Sequence, residues 1–284
     1  MRSVLSILVT IVVVAVATAG GWFIWKAYAN SPWTRDARVR ANVVNVAPDV
    51  AGPIIDIKVK DNQHVAIGDV LFVVDQARYR LALSQAQASL DAAKSVAEQR
   101  QDEFQRRERL SATSISIEAL NQARSAAAEA EANYAQAEAS LEVAKLNMAR
   151  TTVHSPVNGH VTNLLVEPGD YAMQGRAVLA IVDEDSFYVA GYFEETKLPL
   201  IKIGYKVSIR LIGWGPELDG HVESIARAIT DRDNVVGGDL VANVNPTFSW
   251  VRLAQRIPVR IAIDKAPKDA TLSAGMTATV VVRR

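Results

Sequence analysis

The segment that decides the fold is SPVNGHVTNLLVEPGDYAMQG, residues 155–175, because its pattern already stands at residues 47–68 as APDVAGPIIDIKVKDNQHVAIG. Two glycines frame each copy at the same separation of 16 positions: Gly52 with Gly68, and Gly159 with Gly175. A proline precedes the first glycine of each copy, and a short apolar run ending in aspartate follows the second. The shared spacing favours an internal repeat over two unrelated hairpins with similar turns.

Each copy is predicted to form short β-strands joined by tight turns. Apolar residues alternate in both copies, at Ile55, Ile57 and Val59 and again at Val161, Leu164 and Val166. Glycine adopts the positive φ that tight turns need, so we expect structural turns at Gly52, Gly68, Gly159 and Gly175, with further turn positions at Asn62 and Gly169. One copy is too small to bury both faces of its strands, so the two copies are predicted to be halves of one β domain.

Between the copies, the sequence predicts a long helical hairpin. Residues 76–110 and 117–150 contain no glycine or proline and are rich in strong helix formers. Apolar residues recur at intervals of three and four, the seam of an antiparallel coiled coil. On the first helix the seam is Tyr79, Leu83, Ala86, Leu90, Ala93, Ala97 and Phe104, interrupted by Arg100; on the second it is Leu120, Ala123, Ala127, Ala130, Tyr134, Ala137, Leu141, Ala144 and Met148. Ser116 is the expected N-cap of the second helix.

The N-terminus predicts a membrane anchor. Residues 4–24 are apolar and uncharged, and as a helix they would rise roughly 30 Å, the thickness of a bilayer core. A cleaved signal peptide is the alternative, because Ala17-Thr18-Ala19 resembles a cleavage site. The apolar run continues past that site, which favours an uncleaved anchor. Flanking charges alone leave the orientation open, since more basic residues follow the span than precede it.

Beyond Asp183, the sequence predicts a small antiparallel β-barrel. Segments in which apolar and polar residues alternate are separated by Gly, Pro and Asp residues. These segments are FYVAGYF at 187–193, YKVSIRLI at 205–212, IPVRIAID at 257–264 and ATVVVRR at 278–284. The polar, glycine-rich segment 231–245 is expected to be a long exposed loop.

Composition and motifs argue against catalysis and nucleic-acid binding. The 284 residues include no cysteine, which excludes disulfides, a thiol nucleophile and Cys-type zinc sites. The 31 basic and 31 acidic residues balance, whereas phosphate binding needs a basic excess. No phosphate loop, HExxH or GxSxG motif is present. The four histidines are scattered, and His154 and His160 are expected to be surface residues rather than metal ligands.

In this order, the anchor, split β module, hairpin and barrel resemble the HlyD/EmrA-type family of membrane fusion, or periplasmic adaptor, proteins. The split module resembles a biotinyl/lipoyl domain. The resemblance covers essentially the whole chain, and the amino-acid sequence most resembles the branch of the family that serves p-hydroxybenzoic acid efflux pumps. Four stretches carry it: PWTRDARVRANVVNVAPDVAG at 32–52, SFYVAGYFEETKL at 186–198, WVRLAQRIPVRI at 250–261 and AGMTATVVV at 274–282.

The resemblance implies a role, partners and a docking site. Such adaptors are single-pass inner-membrane proteins with their bulk in the periplasm, and they contact lipid through the N-terminal helix. As trimers or hexamers they bridge an inner-membrane transporter and a TolC-like outer-membrane channel. The family's hairpin tip carries an R-x3-L-x6-S pattern that docks the channel; here Arg106 and Leu110 fit it, and Ser116 comes one residue early. The implied exports include aromatic carboxylic acids such as p-hydroxybenzoate.

The family also implies that no cofactor is carried. Biotinyl and lipoyl carriers modify a lysine in the turn between their halves, and here Asp75-Gln76 stands where the hairpin begins. An accessory subunit of a biotin or lipoyl enzyme and a non-transport envelope scaffold remain as alternatives. The predicted fold is α+β multidomain. Its parts are a transmembrane anchor at 1–27, a linker at 28–45, a split lipoyl-like domain at 46–75 and 151–184, an α-helical hairpin at 76–150 and a β-barrel at 185–284.

Overall fold

The computed structural model describes residues 2–29, 32–110, 116–213, 215–229, 235–236, 242–243, 254–265 and 271–283. Their contacts divide the chain into two units, one formed by residues 1–42 with 186–284 and the other by residues 43–185. The second unit contains both copies of the repeat and the helices between them.

Two four-stranded antiparallel sheets form the β part of the second unit. Its first-copy strands are β2 (Val43–Val46), β3 (Gly52–Ile57), β4 (His64–Val65) and β5 (Val70–Val74); its second-copy strands are β6 (Thr152–His154), β7 (Gly159–Thr162), β8 (Tyr171–Ala172) and β9 (Leu179–Asp183). One sheet has the order β2-β9-β7-β4 and the other β6-β5-β3-β8. Each sheet therefore contains strands from both copies, as the repeat predicts.

The two copies are related by a constant offset of 107 residues, and their hydrogen bonds are reciprocal. Ile54 donates its backbone N–H to the carbonyl of Asp170 at 2.8 Å, and Val161, the equivalent of Ile54, donates to the carbonyl of Gln63 at 2.9 Å. Gly68 donates to Ser155 at 2.8 Å, and its equivalent Gly175 donates to Pro48 at 3.0 Å. Each copy thus satisfies polar backbone groups of the other, so neither half is complete alone.

The strands enclose one apolar core. Its buried members include Ile54, Phe72 and Val74 from the first copy and their equivalents Val161, Leu179 and Ile181 from the second. One detail of the expected alternation is wrong: Ile54, not Ile55, points inward at the start of β3, and Ile55 is 54 % exposed. A register shift between Ile54 and Asp56 lets Ile57 and Val59 turn back toward the core.

The helices between the copies, α2 (Ala77–Glu108) and α3 (Ile117–Ala149), pack against each other. Along the predicted seam every apolar residue is buried or half-buried, including Ala97 on α2 and Ala123, Ala127, Ala130 and Leu141 on α3. Arg100, the polar interruption, is exposed and pairs with Glu103. Small alanine side chains at the seam allow the two helices to approach closely.

The other unit contains a closed antiparallel barrel. Its strands are β1 (Trp33–Arg40), β10 (Tyr188–Glu194), β11 (Lys206–Leu211), β12 (Glu217–Ile225), β15 (Arg256–Lys265) and β16 (Thr277–Arg283). Their order around the barrel is β1-β10-β15-β12-β11-β16. The short β13 (Val235–Val236) pairs with β14 (Ala242–Asn243) within segment 231–245, the rest of which lies outside the described residues. The C-terminal antiparallel barrel that the sequence predicts is present.

The assignment of residues 28–45 to a linker is wrong. Trp33–Arg40 is a barrel strand that pairs with both β10 and β16, and it places Ala37 and Val39 in the barrel core with no exposed surface. Without it, β10 and β16 would each present an unpaired edge, so β1 closes the barrel.

At the N-terminus, a helix α1 covers Arg2–Ala29. In the part of the chain that the structure describes, no helix meets the length and hydropathy that a membrane crossing requires.

Candidate functional site

The turn between α2 and α3 holds the predicted docking residues. α2 ends at Glu108, with Arg109 as its C-cap, and α3 begins at Ile117. Residues 111–115 lie outside the described part of the chain, so the tip is seen through the last turn of α2 and the first turn of α3. The hairpin tip is defined here as Arg106 to Leu110 together with Ser116 and Ile117.

All three predicted docking residues are exposed at this tip. Among the described residues, the Arg106 guanidinium has no hydrogen bond or ion pair. Leu110 is 50 % exposed. Ser116 is the N-cap of α3, and its Oγ accepts the backbone N–H of Ala119 at 3.2 Å. The capping role that the sequence predicts for Ser116 is therefore confirmed, and its docking role stays a prediction.

Arg107, which the sequence analysis did not single out, ties the two helices together just below the tip. Its Nη1 donates to the Ala119 carbonyl of α3 at 3.3 Å, and its Nη2 pairs with Glu103 one turn back on α2. Arg107 lies seven residues after Arg100 and so continues the heptad seam with a polar residue. That spacing is the signal that could have identified it.

The tip also exposes apolar surface. Ile117, in the first turn of α3, is 79 % exposed, and Leu110, just after α2, is 50 % exposed; Arg106, in the last turn of α2, has no ion pair with any residue that the structure describes. Large aliphatic side chains at the end of a helical hairpin contribute nothing to its own core. An apolar patch next to a free guanidinium suits docking to another protein, where the apolar groups are desolvated and Arg supplies directional hydrogen bonds.

The four framing glycines serve two different purposes. Gly68 and Gly175 have φ of +89° and +74° and occupy turns, as predicted. Gly52 and Gly159 lie in strands β3 and β7, which corrects the prediction that they form turns. They are needed for close approach: a Cβ on Gly52 would lie 2.8 Å from Val74 Cγ1.

At the base of the hairpin, the position of a carrier lysine is occupied by a helix start. Asp75 accepts the N–H of Ala77 through Oδ1 at 2.9 Å, and Gln76 Nε2 donates to Thr151 Oγ1 at 2.9 Å.

Across β4 and β7, His64 and His160 are direct partners, and His64 contacts Glu184 at 3.2 Å. No group of three or more His, Cys, Asp or Glu among the described residues could hold a metal ion.

Comparison with known families agrees with this architecture. A family model described as "RND MFP, barrel-sandwich hybrid domain" matches residues 42–184, the whole split β domain with its hairpin. A second, the "AAEA-like beta-barrel domain", matches residues 186–283. The chain belongs to the membrane fusion protein family. Within it, the barrel places the chain among the AaeA-like, HlyD-type adaptors, as the wording of the four quoted stretches indicates.

One protein of similar sequence and two solved structures resemble most of the chain. The protein YdhJ of Escherichia coli (strain K12) is 44 % identical over 273 residues, covering 96 % of both chains. The membrane fusion protein Spr0693 of Streptococcus pneumoniae R6 has a TM-score of 0.65 at 17 % identity, covering 88 % of this chain and 98 % of its own. A MacA–MexA chimera containing the Pseudomonas aeruginosa MexA α-hairpin domain has a TM-score of 0.61 at 21 % identity, covering 89 % and 82 %. These two solved structures share the fold.

Proposed function

We propose that this membrane fusion protein is the periplasmic adaptor of a tripartite efflux pump, linking an inner-membrane transporter to a TolC-like outer-membrane channel. The observation that carries the proposal is the hairpin tip, where unpaired Arg106 and exposed Leu110 and Ile117 end a paired helical arm inserted into the family's barrel-sandwich domain. We assign channel docking to Arg106, Leu110 and Ser116.

The mechanism is connection and sealing rather than catalysis. The 32 residues of α2 give the arm a length of roughly 48 Å at 1.5 Å per residue. Because both ends of the arm return to one β domain, the arm is attached at its base by two chain segments. Such an arm holds its tip at a set distance from the domain and resists pivoting about a single linker.

The N-terminal helix completes the proposal as an anchor. In α1, residues 4–24 carry no charged side chain, so burial in a bilayer would desolvate no ion. We propose a single-pass inner-membrane protein with its two units in the periplasm, assembled as a trimer or hexamer. The cargo proposed is a small aromatic carboxylate such as p-hydroxybenzoate, which rests on the AaeA-like barrel, with substrate choice left mainly to the transporter.

Site-directed crosslinking at the tip tests the docking assignment. The chain has no cysteine, so Arg109→Cys introduces one unique thiol at an exposed tip position and leaves Arg106, Leu110 and Ser116 in place. Asp102→Cys is the matched control, because it is an exposed position on α2 seven residues earlier and about 10 Å from Arg109. In cells treated with a thiol crosslinker, we expect Arg109→Cys to capture an outer-membrane channel and Asp102→Cys to capture much less. Capture of only inner-membrane proteins at Arg109→Cys would contradict the assignment.

Loss of the gene tests the efflux role separately. Cells without the chain should accumulate the exported compound and become more sensitive to it, and the full chain should restore resistance. Unchanged sensitivity across a panel of aromatic carboxylates and other pump substrates would favour an envelope scaffold. An intact mass showing a modified lysine would instead favour an accessory subunit of a biotin or lipoyl enzyme.

A further inference from the structure

Because the split domain contains the same strand arrangement twice, each surface residue can be compared with the residue at the equivalent position of the other copy. Equivalent positions, 107 residues apart, have the same strand pairing: Pro53 lies opposite Tyr171 between β3 and β8, and His160 lies opposite His64 between β7 and β4. Inside, the equivalents agree in character, as Val65 and Ala172 show by being buried and apolar. Because the strand pairing corresponds at the two sites, that pairing does not impose a difference in polarity between the exposed side chains.

The two equivalent outer faces differ sharply. One, the apolar face, carries Pro53, Ile55, Leu165, Tyr171 and Met173; the positions equivalent to these, in the same order, are His160, Thr162, Lys58, His64 and Ala66. On the apolar face Leu165 is 79 % exposed and Tyr171 is 59 % exposed. At the equivalent positions the domain folds with four polar side chains and the small Ala66, so large apolar side chains there are not required for its core. An exposed apolar cluster of this kind marks a contact surface.

A cleft accompanies the apolar face. It has a volume of about 400 Å³, with Ile54 and Val178 among its lining residues and Leu165, Tyr171 and Met173 around it. Arg176 and Asp170 also line the cleft. The Asp170 carboxylate accepts the backbone N–H of Glu167 through Oδ2 at 2.9 Å, whereas the Arg176 guanidinium has no hydrogen bond or ion pair within the described residues. The cleft therefore suits an aliphatic side chain that arrives together with a carboxylate.

The same domain presents a group of that chemistry on the turn from Ala66 to Asp69. Ile67 is 65 % exposed at this turn, although it is a large aliphatic residue. Asp69 lies two positions on; its Oδ2 accepts the N–H of Ala66 at 2.8 Å, and it forms no ion pair with any described residue. The turn thus carries an exposed aliphatic side chain, Ile67, which we call the knob, and a carboxylate two residues further on, Asp69.

This turn is rigid, which favours docking. Ile67 donates its N–H to Asn158 Oδ1 at 2.9 Å, Gly68 donates to the Ser155 carbonyl at 2.8 Å, and the Gly68 carbonyl contacts His154 Nδ1 at 2.8 Å. Three contacts to the second copy of the repeat hold the knob in place before any partner arrives. A preorganised group loses little conformational entropy on binding.

We propose that the turn of one copy of the chain docks into the cleft of a second copy, with Ile67 against Leu165, Tyr171 and Met173 and Asp69 facing Arg176. The complementary charges and the matched knob and cleft identify a second copy as the occupant. Because the two surfaces differ, the contact is head-to-tail, and repetition of a head-to-tail contact closes a ring when the rotation allows. The inference deepens the proposed function by naming the contact that builds the homo-oligomer.

Mixing two single-cysteine chains tests both the contact and its polarity. Full-length Ile67→Cys, carrying a tag, is mixed in detergent with untagged Leu165→Cys and treated with a short bismaleimide. We expect a mixed dimer. The control mixture pairs Ile67→Cys with Lys58→Cys, which moves the second thiol to the equivalent position on the polar face, and it should give little product. Ile67→Ser should weaken self-association by about tenfold to a hundredfold, since it removes one buried aliphatic side chain.

Each other outcome overturns the proposal. Dimers of Ile67→Cys with itself, or with Lys58→Cys, would show a symmetric contact through the polar face. No product from the folded chains would show that the two surfaces do not meet. Capture of the transporter at Leu165→Cys would assign the apolar face to that partner. The efflux measurement is independent of all three, so failure of this contact and failure of the pump role can be told apart.

Discussion

A Cβ atom added to Gly159 would lie 2.0 Å from the backbone carbonyl oxygen of Val182. Val182 belongs to β9, which pairs with β7 at this point, so the obstacle is backbone that cannot rotate away. Gly159→Ala must therefore push two paired strands apart. We expect it to lower the free energy of unfolding of the split domain by about 2–3 kcal/mol, measured by urea unfolding followed by circular dichroism.

The repeat and the barrel provide graded controls for this substitution. Gly52, the equivalent of Gly159, faces the side-chain atom Val74 Cγ1 at 2.8 Å, and a methyl group can move, so Gly52→Ala should cost only about 1 kcal/mol. Gly213 has open space around its Cβ position and no positive φ, so Gly213→Ala should stay within about 0.5 kcal/mol of the parent. Equal effects of all three changes would contradict the close-approach explanation.

The seam of the hairpin predicts a second pair of effects. Leu141 is 4 % exposed between the helices, whereas Val143, two residues on, is 58 % exposed. Leu141→Ala should remove about 2–3 kcal/mol of stability and reduce the helical signal on heating, because it opens a cavity in the seam. Val143→Ala should change both measurements little. A large loss from Val143→Ala and none from Leu141→Ala would mean that the helices pack through another face.

The sequence predicts those elements of the fold in which apolar residues recur at a regular interval, and it does not predict the others. The seam was predicted residue by residue because a 3.5-residue period leaves few other arrangements. Arg107 was missed because a polar residue at a seam position breaks the apolar pattern that identifies the seam. Strand β1 was missed because charged residues alternate with its inward-facing Ala37 and Val39, so the segment has the composition of a linker.

Spacing also cannot distinguish the two uses of glycine. Gly68 needs its positive φ, whereas Gly159 needs the missing side chain, and both appear in the sequence only as a glycine at a repeated position. The difference arises from tertiary contact with Val182 in β9, which lies 23 residues (182 − 159) further along the chain. The register of β3 was misassigned for a related reason, since a bulge leaves no mark in the pattern of apolar residues.

In the barrel, Glu217 predicts a pH dependence. The hydrogen bond that Ser208 donates to its carboxylate, at 2.7 Å, holds the pKa of Glu217 below its ordinary value of 4.5, and Arg210 adds to the effect. A depressed folded-state pKa contributes stability that is present above the unfolded-state pKa and is lost as the pH falls through the folded-state pKa.

Removal of the hydroxyl should reverse this shift. In Ser208→Ala, the pKa of Glu217 should rise toward its ordinary value, measured by carbon-detected NMR titration of the carboxyl group. The stability difference between parent and variant that Glu217 causes should be full above about pH 4.5 and shrink at lower pH. Ser224→Ala, which removes an exposed hydroxyl from β12, the strand that contains Glu217, is the control. An unchanged Glu217 titration in Ser208→Ala would contradict the assigned cause.

At the hairpin tip, the cap geometry of Ser116 separates folding from docking. Its Oγ accepts the Ala119 N–H, which leaves the hydroxyl hydrogen free to donate to a partner. Ser116→Ala should lose the cap and destabilise the start of α3 by about 1 kcal/mol. Ser116→Asp keeps a strong cap and favours the positive end of the helix dipole, yet an ionised carboxylate has no hydrogen to donate. Ser116→Thr keeps both the cap and the donor.

These three variants therefore give distinct results if Ser116 docks the channel through its hydroxyl. Helicity at the tip, followed by amide hydrogen exchange, should be preserved in Ser116→Asp and Ser116→Thr and reduced in Ser116→Ala. Channel capture through Arg109→Cys, which leaves Arg106 and Leu110 in place, should be preserved only in Ser116→Thr. If Ser116→Asp captures the channel as well as the parent does, the hydroxyl serves only as a cap, and docking rests on Arg106, Leu110 and Ile117. Because the cap is equally available to Asp and Thr, loss of capture in Asp alone cannot be attributed to a frayed helix.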